Sequence, residues 1–331
     1  MKFALRRRNT LIMLAVGAMA CAVAPINAVW LDTVILTGIL ALISLSAGLS
    51  FGQAGVLSMA QGAFAAIGAY ATAICATRFD LSAWAGLPFA IALPAVLAWG
   101  LARIVTRMPE LAVALATLAL STLLEILARN WDSVTGGYVG IAGIPPVDGF
   151  SIGWRFNILV WMFVLVAVFV YENLMNSAQG RALNIVRHDR TRAMADGIPV
   201  APLLAAMFAT SGAMAGAGGW LYAHYISYMS PQSLDTYASI SALLMAVVGG
   251  AGYIVGPVLG TFLLNLLGKL LPAQEAQGLF YGGTLILILI VAPEGLLGWI
   301  HHLHERIVAR KSTAPSTPEP KRKVRPMEAA P

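Results

Sequence analysis

The sequence predicts an all-α protein: a polytopic transmembrane helical bundle of about ten spans, with both termini cytoplasmic. Three observations carry that expectation. Of the 331 residues, 59% are apolar and 11% are charged, against roughly 25% charged in soluble domains. A soluble fold of this length keeps about a quarter of its extended-chain surface wet and cannot hide so much apolar area. Long stretches also lack charge altogether, with no Lys, Arg, Asp or Glu from Thr33 to Thr77. The remaining charges gather in a few short segments, as the positive-inside rule requires of a membrane protein.

The elements follow in order. Residues 1–9 form a basic N-terminus, and 10–300 form the transmembrane domain. About 20 helical residues cross a hydrocarbon core, and the charge-sparse runs place spans at 10–30, 33–50, 55–77, 81–102, 111–128, 156–175, 200–222, 237–252, 254–271 and 279–300. The first span begins after Arg6-Arg7-Arg8 and contains Ala18-Met19-Ala20, which resembles a signal peptide with its cleavage site. Because the apolar run continues past Cys21 to Trp30, an uncleaved helix is expected. The stretch from Thr33 to Thr77 is too long for one crossing, so two helices meet at Ser50-Phe51-Gly52-Gln53-Ala54-Gly55 in a turn or broken helix buried within protein. The join at Val248-Gly249-Gly250-Ala251-Gly252 reads the same way. Residues 301–331 are Pro-rich and charged and are expected to be a disordered basic tail.

Orientation comes from charge. An even number of spans with a cytoplasmic N-terminus puts 17 of the 21 Lys and Arg inside, leaving Arg78, Arg129, Arg155 and Lys269 outside. The formal charge of +6 does not point to nucleic acid, because the basic residues lie in short end segments rather than on a folded face. Cys21 and Cys75 sit within apolar runs and make neither a metal spacing nor a disulfide framework.

Several chemistries are missing. No Gly-rich loop carries the Lys and Ser/Thr of a phosphate-binding loop, so the chain is not expected to hydrolyse ATP by that route, to be an enzyme or to bind a cofactor of its own. His301, His302 and His304 form the one histidine cluster, unaccompanied by Cys or Asp, and an interfacial role suits them better than a metal site. Asp32, Glu110, Glu125, Glu172 and Glu294 all fall near span ends, where they can reach the interface. A carboxylate at a helix centre costs about 2.5–3.5 kcal/mol on insertion scales, and none is expected there, which argues against a proton relay.

The spacings Gly48-x-x-x-Gly52, Gly212-x-x-x-Gly216 and Gly256-x-x-x-Gly260 predict close helix approaches. The inside loop 176–199 is longer than a connector needs. Ala182, Ile185, Val186, Asp189 and Ala193 recur at helical steps, and Gly197 and Pro199 end the pattern, so a docking surface for a cytoplasmic partner is expected, with a positive-inside loop lying on the membrane as the alternative. The outer loop 128–155 carries the Gly/Pro stretch from Thr135 to Pro146. Trp220, Tyr222, Tyr225 and Tyr228 read as an interfacial aromatic belt, with a receptor-docking face as the alternative. Gln53, Ser58 and Gln61, uncharged polar groups following a helix break, are candidates to line or shape a path beside Gly52; packing and backbone bonding are the other roles open to them.

Together these residues resemble the permease subunits of branched-chain amino-acid ABC importers, and more closely the longer, M-type permease of the pair. The resemblance spans about 33–299. It runs through Gly52-Gln53-Ala54-Gly55 with Leu57-Ser58, Gly62 to Tyr70, Asn130 and Thr135-Gly136-Gly137, then Gly143-Ile144-Pro145. It continues through Gly180-Arg181-Ala182-Leu183 to Gly197-Ile198, Leu221 to Tyr225 with Ser230-Pro231, Gly249 to Gly252, Gly256 to Gly260 and Pro293 to Gly298. It implies an inner-membrane, multi-pass subunit paired with a second permease. Two cytoplasmic ATPase subunits would supply ATP-derived work, and an extracytoplasmic substrate-binding protein would deliver cargo, at a contact for which Thr135, Gly136 and Gly137 are candidates. In such transporters a loop ending in Ala-x-x-x-Gly transmits ATPase motion. Ala193 to Gly197 match that spacing, and Gly180, Arg181, Asp189 and Asp196 complete the candidate coupling loop. Urea and short-amide importers share the pattern, so these cargoes stay open, as does an ATP-independent secondary transporter.

Overall fold

The computed structural model describes residues 8–23, 27–105, 108–150, 153–270, 283 and 295–299. Most of these are helical. In chain order the helices are α1 (Arg8–Val23), α2 (Ala28–Ala47), α3 (Gln61–Arg78), α4 (Ala83–Val105), α5 (Glu110–Asn130) and the single turn α6 (Asp132–Thr135). They continue with α7 (Trp154–Asn176), α8 (Ala178–His188), α9 (Arg190–Ala195), α10 (Val200–Ile226), α11 (Thr236–Gly249) and α12 (Gly256–Leu270). A π-helical turn, Gly48–Gln53, continues α2. The one strand pair among the described residues joins β1 (Ile141–Ala142) antiparallel to β2 (Tyr228–Met229), with Ile141 opposite Met229. Among the described residues, five helices are long and apolar enough to cross a membrane: α2 with its π turn, α4, α5, α7 and α10.

At about 1.5 Å per residue, the 23 residues of α7 and the 27 of α10 hold the loops at their two ends some 35–40 Å apart. One end carries α6 and the β1–β2 pair. The other carries α8 and α9. α10 is the central post, packed on α4, α3 and α2, while α12 covers α11 and α2, and α1 lies along α7. Apolar faces decide this arrangement: α10 buries Leu204, Phe208, Ala215, Trp220 and Leu221, and α2 buries Ile35, Ile39, Leu42 and Leu45. By contrast α5 buries only Val113, Ala114, Thr117 and Ser121, and turns Leu111, Leu115, Leu123 and Ile126 outward.

The paired glycines sit at helix crossings. A Cβ at Gly212 would lie 2.6 Å from the Pro94 carbonyl, and one at Gly260 would lie 1.9 Å from the Met245 carbonyl. Pro94 lacks the N–H that would bond the Ala90 carbonyl in α4. That carbonyl faces Gly216 instead, where a Cβ would come within 2.1 Å, so α10 lies against exposed backbone that a larger residue would block.

Several sequence expectations change. The span expected at 55–77 begins only at Gln61, because 54–60 are non-helical. The expected first span divides at Asn27, whose side chain caps α2 by accepting from Val29 N at 3.4 Å. Loop 176–199 contains two helices meeting at Asp189, and the buried face of α8 is Gly180, Leu183 and Val186, while Ile185 turns out. Trp220 is not interfacial but fully buried, stacked on Phe163 at 5.5 Å with its Nε1 donating to the Ala83 carbonyl at 3.0 Å. Most of the tenth span, the His301–His304 cluster and the basic tail lie outside the described residues.

Glu172 is a further departure. It lies near the end of α7 as expected, yet only 4% of it is exposed. Its carboxylate accepts from Asn9 N at 3.1 Å, from Thr10 N at 3.0 Å and from the Thr10 hydroxyl. The first N–H groups of a helix have no partner within it, and an anion there also meets the positive end of the helix dipole. Glu172 is therefore the cap of α1, contributed by a helix more than 160 residues away.

Candidate functional site

The centre of the candidate site is the meeting of two chain breaks. The π turn leads into Ala54 and Gly55, which adopts a left-handed φ of +65°. Gly55 N donates to the Phe51 carbonyl and Val56 N to that of Ser50, both at 3.1 Å. Facing it is the turn between α11 and α12. Gly52 touches it so closely that a Cβ would lie 1.7 Å from the Ala251 carbonyl, and Gln53 Nε2 donates to the Gly252 carbonyl at 3.0 Å. Of the predicted path residues, Gly52 lines a hollow of about 460 Å³ with Phe51, Arg187, Val247, Ala251 and Tyr253.

Gln61 is fully buried rather than open to a channel. Its Oε1 accepts from Ser46 Oγ at 3.0 Å and from Ser211 Oγ at 3.3 Å, and its Nε2 donates to Ser50 Oγ at 3.2 Å. Ser50 and Ser211 are linked at 2.9 Å, and the Ser211 hydroxyl is also within 2.9 Å of the Ser46 carbonyl. Unpaired polar groups in an apolar interior each cost of order 1–3 kcal/mol, so this knot fixes the π turn to α3 and α10. Ser58 is also buried, and its hydroxyl has no partner among the described residues. The next residue, Met59, is held by α5: its N–H donates to Thr117 Oγ1 at 3.0 Å and its carbonyl accepts from Ser121 Oγ at 2.7 Å.

A hollow lies on each side of this clamped segment. Towards α8, one of about 180 Å³ is lined by Ala54, Gly55, Val56, Glu110, Arg187 and Arg190, among others. Towards α6, one of about 480 Å³ opens between α3, α4 and α5, with Ser121 among its lining residues and Trp131, Thr135 and Pro231 at its far end.

The candidate coupling loop is a capped two-helix unit. Ser177 accepts from Gly180 N at 3.2 Å to start α8, and Asp189 Oδ1 accepts from Arg192 N at 2.9 Å to start α9. Gly180 is pressed on the end of α7, where a Cβ would lie 2.4 Å from the Met175 carbonyl. Ala193 is fully buried, and Gly197, at φ +78°, ends α9 with its N–H on the Met194 carbonyl at 3.1 Å. Arg181, Asp189, Arg192 and Asp196 line one outward groove of about 460 Å³. The structure thus brings Arg181, Asp189 and Asp196 to one surface and sets Gly180, Ala193 and Gly197 behind it. Arg187 connects this unit to the breaks: a Cβ at Gly55 would lie 3.2 Å from its Cγ.

At the opposite end, Thr135 is buried, its hydroxyl donating to the Ala128 carbonyl at 2.6 Å and to the Trp131 carbonyl at 2.8 Å. Gly136 and Gly137 both have positive φ. These three residues build the turn, and Tyr138 and Val139, 68% and 76% exposed, form its tip. Sequence reasoning missed Ser46, Ser50, Ser211, Thr117, Ser121 and Arg187. The i, i+4 spacing of Ser46 and Ser50, and of Thr117 and Ser121, within apolar helices was the available signal.

Comparison with known proteins is decisive on the family. The chain matches the family described as "Branched-chain amino acid transport system / permease component" over residues 29–289. It belongs to that family. The high-affinity branched-chain amino acid transport system permease protein LivM of Escherichia coli (strain K12) is 28% identical over 294 residues, spanning 80% of this chain and 69% of that one. The probable branched-chain amino acid transport permease protein LivH of Methanocaldococcus jannaschii is 24% identical, spanning 80% of this chain and 90% of that one. A more distant relative is the fructose import permease protein FruG of Bifidobacterium longum, 26% identical over 152 residues, which are 43% of this chain and 44% of that one. No solved structure matches. Family membership and the apolar helices make this a multi-pass membrane permease component.

Proposed function

We propose that this permease is a subunit of an ATP-driven importer that moves branched-chain or related small amino acids across the inner membrane. It pairs with a second permease, and two cytoplasmic ATPase subunits dock on α8 and α9. An extracytoplasmic binding protein presents cargo at the end that carries α6 and β1–β2. Both termini are cytoplasmic in this reading.

The observation that carries it is the physical continuity from the α8–α9 unit to the chain breaks. A push on α8 reaches the break because α8 packs against the π turn, and Arg187 lies beside Gly55 with its Cγ 3.2 Å from where a Cβ on that glycine would be. Gly55 joins the π turn that Gln53 and Gly52 fasten to the α11–α12 turn, and π turns occur often at functional sites. Movement of the ATPases therefore has a short route to the segment between the two hollows.

The test is uptake into proteoliposomes holding the complete transporter and its binding protein. Labelled leucine is expected to accumulate only when ATP is supplied to the ATPase side. Uptake of urea but not leucine would reassign the cargo. Accumulation by this chain alone without ATP would overturn the importer reading in favour of a secondary transporter.

A further inference from the structure

The hollow between α3, α4 and α5 has more chemistry than a packing gap needs. Its walls are aliphatic: Ile67 and Ile74 from α3, Leu93 and Leu97 from α4, and Leu124 and Leu127 from α5. Three polar groups interrupt them. Glu125 lines the hollow with one oxygen 2.6 Å from Arg129 Nη2, while its other oxygen accepts from Thr236 N at 3.3 Å and Thr236 Oγ1 at 3.2 Å. Ser121 lines it with an oxygen that donates to the Met59 carbonyl, lies 3.4 Å from Ser239 Oγ and keeps one lone pair to accept with. Tyr70 lines it too. That residue is 8% exposed, and its hydroxyl has no hydrogen-bond partner among the described residues.

A buried hydroxyl without a partner costs free energy, and a packing role for Tyr70 would be served as well by Phe. Thus an anionic acceptor, an unused donor and an aliphatic wall are gathered around one opening. A lipid acyl chain would use the wall and nothing else. A free amino acid with an aliphatic side chain uses all of it: its ammonium group needs acceptors, its carboxylate needs donors, and its side chain needs an apolar surface.

We infer that this hollow is a binding site for the zwitterion of an aliphatic L-amino acid. The ammonium group is held by Glu125 and Ser121, the carboxylate by Tyr70, and the side chain lies among Ile67, Leu93, Leu97 and Leu124. Ser121 also bonds the Met59 carbonyl at 2.7 Å, so one wall of the hollow is tied to the chain segment that joins the π turn to α3. The inference rests on the importer reading above, from which it takes the cargo class.

The experiment measures equilibrium binding of tritiated L-leucine to the complete transporter in nanodiscs without its binding protein, alongside ATP-driven uptake with it. Tyr70→Phe removes one hydroxyl and no hydrogen bond among the described residues, so folding is expected to be preserved. It is expected to weaken leucine binding by about tenfold or more, as loss of a hydrogen bond to a charged group implies. Glu125→Gln is expected to weaken leucine binding similarly while leaving 4-methylpentanoate, which lacks the ammonium group, unaffected. Leu97→Trp fills the hollow and should abolish both. Unchanged leucine binding in Tyr70→Phe and Leu97→Trp would overturn the site, as would a co-purifying lipid that Leu97→Trp expels with no effect on leucine. Those results leave the importer reading intact provided the wild-type complex accumulates leucine. A wild-type complex that accumulates no aliphatic amino acid would overturn both.

Discussion

At Gly52 a single hydrogen atom decides whether two chain segments can touch. The neighbour that a Cβ would strike is the Ala251 carbonyl, part of the backbone, at 1.7 Å, so no side chain can swing aside. Gly52→Ala is expected to lower the midpoint of thermal unfolding in detergent sharply or prevent assembly. Gly100→Ala is the control. It lies inside α4 with nothing within 4 Å of the added atom, and should be neutral or stabilising by about 0.5–1 kcal/mol through helix propensity. Equal losses in both variants would refute the close-contact account. Glu172 acts at the same scale. Its hydrogen bonds are charge-assisted and about 1.5–3 kcal/mol each, so Glu172→Ala should speed hydrogen exchange at Asn9 and Thr10 by tenfold or more while leaving α10 protected. Neither role was legible in the sequence. A Gly in a Gly-rich strip does not announce its neighbour, and a carboxylate near a span end looks the same whether it meets water or a distant helix start.

Among the elements, α8 and α9 depend on two backbone devices. Asp189 caps α9, and its replacement by Ala should cost about 1 kcal/mol of local helix stability. Gly197 sits at φ +78°, which Pro cannot adopt because its ring locks φ near −65°. Under the proposed function, Asp189→Arg and Gly197→Pro should leave ATP hydrolysis running in proteoliposomes while uptake falls, or should release the ATPase subunits. Retained subunits with an unchanged transport rate would show that this loop does not couple. The sequence made the length and helical character of this loop visible through its spacing and its Gly197–Pro199 stop. It placed Val186 and Ala193 on the buried face correctly but added Ile185, because Ala182 and Ile185 satisfy a helical period as well as Gly180, Leu183 and Val186 do. Only contact with the end of α7 distinguishes the two faces.

For the whole molecule, the composition was enough to give an apolar helical architecture, and charge-free runs located most helices to within a few residues. They also placed a break at Ser50 to Gly55, but not its continuation to residue 60, since a non-helical stretch inside protein carries the same apolar residues as the helices beside it. The same holds for the candidate site. Gly52 and Gln53 stood out as punctuation, whereas the serines that tie the breaks together were hidden in ordinary helical spacing. Orientation is testable directly. With Cys21 and Cys75 replaced by Ser, Met194→Cys and Val139→Cys, both at exposed positions, should react with a membrane-impermeant maleimide from opposite sides of sealed vesicles. Labelling from one side would overturn the charge-based assignment.

The serine knot also imposes a schedule on synthesis. Gln61 and Ser50 are made early, but Ser211 lies 150 residues after Gln61, which at about 5–20 residues per second is roughly 8–30 s of translation. During that interval a glutamine amide and two serine hydroxyls sit in a nascent membrane segment with their α10 partner not yet made. A chain stopped before α10 is expected to be degraded quickly. The same truncated chain carrying Ser50→Ala and Gln61→Leu should survive longer, although the full-length double variant would be the less stable protein. A pulse-chase comparison of the two would show whether the groups that lock the finished permease are a hazard while it is being made.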